Sequence, residues 1–271
     1  MSLEYANIAG YRFVTLSDRD DLRAPFQEEC KRLNLLGTIL LSYEGINFFL
    51  SGKQESIDIF LEFLDHDERL AGIKIKFSYS EKPAFRKMYV RLKKEIISMG
   101  CEEIKPEFET GTSISPTEFK HWLDEGKEVT ILDTRNDYEI RVGTFSNAID
   151  FDIPTFREFP KAVEECSLDK EKPIVMFCTG GIRCEKASQL MINQGFLDVR
   201  QLEGGILGYF EEVGGDYWDG DCFVFDRRVA VDSNLQETEA VVCYACREPL
   251  SLDEQDESDY ILGMSCPYCS N

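Results

Sequence analysis

The chain has 271 residues, 43% of them hydrophobic and 30% charged, and a formal net charge of -21. This balance excludes a disordered chain and argues against a nucleic-acid binder whose whole surface is basic. The length suggests two compact units and a small appendage. No apolar run is long enough to span a bilayer, and the first residues lack the basic flank and apolar stretch of a signal peptide. The expected setting is therefore the cytoplasm, with no membrane partner.

The first unit, residues 1–100, opens with a strand-like run at 11–16. A helix follows over 24–35, with Phe26, Cys30 and Leu33 on one stripe and Pro25 in its first turn. Apolar runs at 37–41 and 46–50 flank a turn at 42–45. Residues 54–64 carry Ile57, Phe60, Leu61 and Leu64 on one helical face, and 73–79 alternate apolar with polar residues. The order βαββαβ is the ferredoxin-like, or acylphosphatase-like, arrangement.

Residues 82–111 contain Pro83, Pro106 and Gly111 and read as a linker with one extended stretch at 88–97. The region is locally basic. Between residues 73 and 95 eight lysines and arginines face only Glu81 and Glu95. Lys87, Arg91, Lys93 and Lys94 are candidates for contacting RNA phosphates, and a solvated strand and loop would account for them equally well.

A second unit covers 112–215. Ser115, Pro116 and Glu118 form a capping-box signature with proline at the first helical position, opening a helix to about 125. Short apolar strands are expected at 129–132, 147–151, 173–177 and 199–202, with helices at 155–165 and 183–193. Strands alternating with helices make an α/β unit with an open parallel sheet. Residues 216–271 are acidic, carry four cysteines, and have too few apolar residues for a large core.

Ten cysteines and two histidines narrow the chemistry. With only His66, in a charged run, and His121, within an expected helix, the sequence disfavours a serine triad or a multi-histidine metal site. Three close cysteine pairs stand out, Cys178/Cys184, Cys243/Cys246 and Cys266/Cys269, and the other four cysteines read as packing thiols. At the first pair an apolar strand runs into Cys178, then Thr179, Gly180, Gly181, Ile182 and Arg183, and then a helix. A strand end delivers sulfur to the edge of the sheet, the glycines let backbone amides turn inward, and the helix N-terminus with Arg183 supplies positive charge. Such a setting favours a reactive thiolate. Cys184 is either a resolving thiol for an oxidised or persulfidated Cys178 or a packing thiol on the helix.

This loop resembles that of the rhodanese superfamily. Asp133, Arg135, Tyr138, Glu139 and Gly143 resemble its first signature, and Leu202 to Ile206 its closing one. The superfamily usually has a histidine where Thr144 stands, at a position to which the resemblance gives a structural role. Related phosphatases have one more residue in the loop than the four between Cys178 and Arg183, so the resemblance disfavours phosphate chemistry. The full chain is similar to the prokaryotic tRNA uridine hydroxylase family, through Glu44-Gly45-Ile46-Asn47, Lys93 to Ile97, Cys178 to Ala187, Gln201 to Ile206, and Phe223 to Asp226 with Arg228-Val229. That resemblance implies oxygen-dependent formation of 5-hydroxyuridine at the tRNA wobble position. It makes Cys178 essential, tRNA the partner and molecular oxygen the co-substrate. The alternative is a sulfurtransferase carrying a persulfide on Cys178. Phe48-Phe49 replace the family's usual Gly-Thr and are either packed strand residues or a platform for a base.

No glycine-rich dinucleotide fingerprint is present, so no nucleotide cofactor is expected. Cys243, Cys246, Cys266 and Cys269 form two CxxC knuckles nineteen residues apart, the spacing of a four-thiolate zinc ribbon.

Overall fold

A computed structural model describes residues 4–270. The first unit contains β1 (Tyr5–Phe13), α1 (Arg19–Arg32), β2 (Leu36–Ser42), β3 (Gly45–Gly52), α2 (Gln54–Asp65), β4 (Lys76–Ser80) and β5 (Met88–Leu92). Its sheet has the order β4-β1-β3-β2-β5, antiparallel except for the parallel pair β2/β5. The first four strands are the expected ferredoxin-like set. The fifth comes from the stretch assigned to the linker.

Several boundaries differ from expectation: β4 runs over Lys76–Ser80 rather than 73–79, and β1 and α1 are displaced as well. β1 starts at Tyr5 and stops at Phe13, which pairs with Gly45, the first residue of β3, so residues 14–16 have no strand left to pair with. Helix α1 begins at Arg19, which places Pro25 inside it rather than in its first turn. Pro25 cannot bond to the Asp21 carbonyl, and both residues are exposed, so solvent takes the orphaned acceptor.

One face of this sheet packs on α1 and α2 through Ile39, Ile46, Phe48, Phe26 and Phe60. Alternation at period two sends the neighbouring residues to the other face. The register there forms two rows, Lys76–Ala9–Phe49–Thr38–Tyr89 and Tyr11–Asn47–Leu40–Arg91. Phe48 is thus a core residue in edge-to-face contact with Phe60 at 5.9 Å. Phe49 lies on the opposite face, so the two alternatives for the pair divide between its members.

The second unit contains β6 (Thr112–Ile114), α3 (Pro116–Asp124), β7 (Thr130–Asp133), α4 (Asp137–Ile140), β8 (Gly143–Phe145), α5 (Phe159–Glu165), β9 (Ile174–Phe177), α6 (Ile182–Asn193), β10 (Val199–Leu202), α7 (Gly205–Val213), β11 (Trp218–Gly220), β12 (Cys222–Phe223) and β13 (Ala230–Val231). Its parallel sheet has the order β6-β10-β9-β7. Ile174 and Met176 point to a core shared with α5 and α6, and Val175 and Phe177 to one shared with α3 and α7. Ser115 caps α3 by accepting from the Glu118 amide at 3.2 Å. The strand expected at 147–151 is reduced to one bridge between Ile149 and Leu132, and β8 pairs with β11 instead. The helix expected over 155–165 is a 3-10 turn (Phe156–Glu158) followed by α5. Pro160 has no amide to continue an α-helical ladder there.

Trp218, Cys222, Val224, Val231 and Leu235 pack into the second unit's core, so the composition-based tail boundary at 216 cuts through it. The cysteine-rich portion proper carries β14 (Val241–Val242), β15 (Pro249–Leu250) and α8 (Leu252–Gln255). The linker is packed as well. Met99 and Ile104 are buried in the second unit's core, and the Lys105 amide donates to Gln189 at 2.7 Å.

Candidate active site

Cys178 follows β9 directly and is 1% exposed. The Gly181 amide donates to its sulfur at 3.1 Å. Gly181 caps α6 with φ +101°, a conformation that favours glycine. Gly180 needs no such freedom, and a Cβ there would meet open space. The loop is clamped from the other side by α7, whose Ile206 and Leu207 amides donate to the carbonyls of Cys178 and Thr179 at 3.0 and 3.1 Å. This close approach requires Gly205, where a Cβ would fall 2.2 Å from the Cys178 carbonyl oxygen.

Arg183 is buried and paired bidentately with Glu139, at 2.5 and 2.8 Å. Glu139 is itself fully buried, takes the Asn136 amide at 3.1 Å, and lies 3.4 Å from the Thr179 hydroxyl. Burial pushes the Cys178 thiol up. A hydrogen bond from Cys184, the charge of Arg183 and the amides of Arg183 and Gly181 outweigh it and hold Cys178 at about 6. Burial and the neighbouring thiolate push Cys184 well above the ordinary thiol range. Cys184 thus stays protonated beside Cys178, fully buried, with Thr134 Oγ1 at 3.7 Å. This environment is that of the packing thiol, the second of its two expected descriptions.

Behind the loop, Asp133 and Arg135 form a buried ion pair at 2.7 Å, and Arg135 also donates to the Gly143 carbonyl at 2.6 Å. Thr144 donates to Asp133 at 2.8 Å, which satisfies the carboxylate where the superfamily's histidine is replaced.

The loop opens into a cavity of about 1340 Å³ between the two units. Tyr11, Asn47 and Phe49 line the side formed by the first unit's sheet, Ile182 and Arg183 the loop side, and Phe225 a third side. A buried lysine is one of the side chains that join the units. Lys186 of α6 contacts Glu44 at 2.8 Å, Glu95 at 2.7 Å and the Ile97 carbonyl at 3.1 Å. Glu44 also accepts the Ile96 amide at 2.7 Å, and Asn47 donates to the Ile96 carbonyl at 3.1 Å. The motifs at 44–47, 93–97 and 186 are therefore one junction, a role that sequence spacing did not reveal. Tyr11 and Glu185 were also missed. Their side chains meet at 3.1 Å beside the loop, although they are 174 residues apart in sequence.

Lys87, Arg91, Lys93 and Lys94 are exposed on or beside β5, and of these Lys93 alone lines the cavity. Arg91 stacks over Tyr89 at 4.5 Å. Cys243, Cys246, Cys266 and Cys269 converge with their sulfurs within 4.8 Å of one another, a cluster that could hold a metal ion. Their surroundings include only one other fully buried hydrophobic residue, Leu250, so four sulfurs form most of the packing there.

Residues 5–96 match the model of the UPF0176 acylphosphatase like domain, and residues 115–212 that of the Rhodanese-like domain. A tRNA uridine(34) hydroxylase from Cupriavidus necator is 49% identical, covering 98% of this chain and 97% of its own. The tRNA uridine(34) hydroxylase from Ralstonia nicotianae is 47% identical, covering 99% and 98%. A rhodanese-like domain protein from Staphylococcus aureus aligns with 36% of this chain and 90% of its own, at 32% identity and a TM-score of 0.32. Both domain matches and the near-complete alignment with these relatives agree: the chain belongs to the tRNA uridine(34) hydroxylase family.

Proposed function

We propose that this chain hydroxylates the wobble uridine of tRNA to 5-hydroxyuridine, with Cys178 as nucleophile. The observation that carries the reading is a thiolate-stabilising loop opening into a cavity closed on its far side by the first unit's sheet. The thiolate adds to C6 of the uracil, which makes C5 electron-rich. Molecular oxygen then supplies the C5 hydroxyl oxygen, and an external two-electron donor reduces its second atom to water. A small anion-accepting rhodanese site needs no such cavity, which favours a nucleoside over a bare sulfane sulfur.

The rows of the first sheet lead from Tyr11 and Phe49 in the cavity to Tyr89, Arg91 and the lysines at its edge. Aromatic and cationic groups on one sheet face suit a single-stranded RNA segment, with bases stacking and phosphates meeting Lys87, Arg91, Lys93 and Lys94. Zinc held by Cys243, Cys246, Cys266 and Cys269 would staple a segment too small to bury a core.

The deciding experiment is nucleoside mass spectrometry of tRNA incubated with the full chain under oxygen. Product should form with the intact chain and be absent with Cys178→Ser. Undiminished product from Cys178→Ser would remove the thiolate from the mechanism. Efficient transfer of sulfur from thiosulfate to cyanide, with no tRNA product, would instead establish a sulfurtransferase.

A further inference from the structure

Tyr11 comes from the first unit, yet it sits at the rhodanese loop. Its hydroxyl oxygen is 3.0 Å from where a Cβ on Gly181 would lie, and Gly181 is the residue whose amide holds the Cys178 sulfur. The Tyr11 proton is committed to Glu185 Oε1 at 3.1 Å. The second Glu185 oxygen takes the Thr110 hydroxyl at 2.8 Å and the Gln201 amide at 3.2 Å. Three donors thus converge on this one carboxylate. With its proton so engaged, the Tyr11 oxygen retains lone pairs to accept another hydrogen, and Tyr11 lines the cavity. Three other carboxylates near the loop are held in ion pairs. Glu139 is locked by Arg183, Glu95 by Lys186, and Asp226 by Arg228.

We infer that Tyr11 and Glu185 form a proton relay that serves the uracil held at Cys178. The inference rests on the thiolate-addition reading above. After hydroxylation, C5 of the adduct bears a hydrogen and a hydroxyl group, and C6 is bonded to sulfur. Release breaks the C5–H bond, and its electron pair forms the C5–C6 double bond. The C6–S bond breaks with its pair returning to Cys178 as thiolate. The C5 proton passes to the Tyr11 oxygen while the Tyr11 hydroxyl proton passes to Glu185. No oxidant or reductant enters this step. Burial, then the charges of Glu185 and Cys178, push the Tyr11 phenol well above its usual range, so it relays a proton rather than resting as a phenolate.

The test uses the full chain with Tyr11→Phe and, separately, Glu185→Gln, in single-turnover reactions on tRNA. General base catalysis of this kind predicts 5-hydroxyuridine release slowed by about 100-fold or more. A protein–tRNA adduct should persist on a denaturing gel, while tRNA affinity and the pH midpoint of Cys178 alkylation stay unchanged. Release at the normal rate from both variants would overturn the relay. So would slow turnover without the adduct, or slow turnover accompanied by lost tRNA binding, which would make Tyr11 a packing residue. Product formation by Cys178→Ser would instead overturn the underlying thiolate reading. An inactive Cys178→Ser beside a normal Tyr11→Phe would remove the relay alone.

Discussion

The reactivity of Cys178 against pH follows from its neighbours. With the thiol held at about 6, about 90% of it is thiolate at pH 7, against about 3% for an ordinary thiol near 8.5. Nucleophilicity falls with basicity, and a drop of about 2.5 units makes each thiolate roughly tenfold slower. At neutral pH the two effects leave a net advantage of only about threefold, so the rate there is a poor indicator. At pH 5.5 the thiolate fractions differ by about 200-fold, leaving a net advantage of roughly 20-fold. Iodoacetamide labelling between pH 4.5 and 9, read at the Cys178 peptide by mass spectrometry, should give a midpoint near 6. Cys184→Ala removes a donor to the sulfur, and the midpoint should rise. A depressed pKa also stabilises the fold: the contribution is full above the unfolded value near 8.5 and is lost as pH falls through about 6. Cys184, pushed up, is neutral in both states below about pH 7.5 and opposes the rise only as its unfolded thiol ionises toward 8.5. Relative to Cys178→Ser, stability in urea should therefore rise by at most about 1.4 kcal/mol per pH unit across that range. A labelling midpoint at 8 or above, or one unmoved by Cys184→Ala, would refute this account of the loop.

Lys186→Met leaves Glu44 and Glu95 facing each other without their shared cation and should cost about 3–5 kcal/mol in urea melts; a loss under about 1 kcal/mol would show that the junction is held by packing. Gly205→Ala drives a Cβ onto the Cys178 carbonyl and should displace the loop, moving the labelling midpoint toward 8.5, whereas Gly180→Ala should leave stability within about 1 kcal/mol. Elemental analysis should find about one zinc per chain in the intact protein and below about 0.3 in Cys266→Ser, with chelator melting the segment around β14 and β15. Neutralising Lys87, Arg91, Lys93 and Lys94 together should weaken tRNA binding and flatten its dependence on salt; an unchanged slope would remove these residues from the interface.

Local chemistry was legible where neighbours in sequence are neighbours in space. The strand, Cys178, the glycines, Arg183 and the helix lie within about a dozen residues, and their geometry follows from turn and helix rules. The CxxC knuckles were legible for the same reason, as was the ferredoxin-like order, which period-two and helical patterns carry. Pairings between distant segments were not. Glu139 reaches Arg183 across 44 residues, Lys186 reaches Glu95 across 91, and Tyr11 reaches Glu185 across 174. No spacing rule connects such positions, because each contact exists only after distant segments have packed together, within the second unit for Glu139 and Arg183 and between the units for the other two. Phe48 and Phe49 show the limit at its smallest scale. Both read as strand residues, and alternation puts them on opposite faces, but only the docking of the second unit turned one of those faces into a cavity wall.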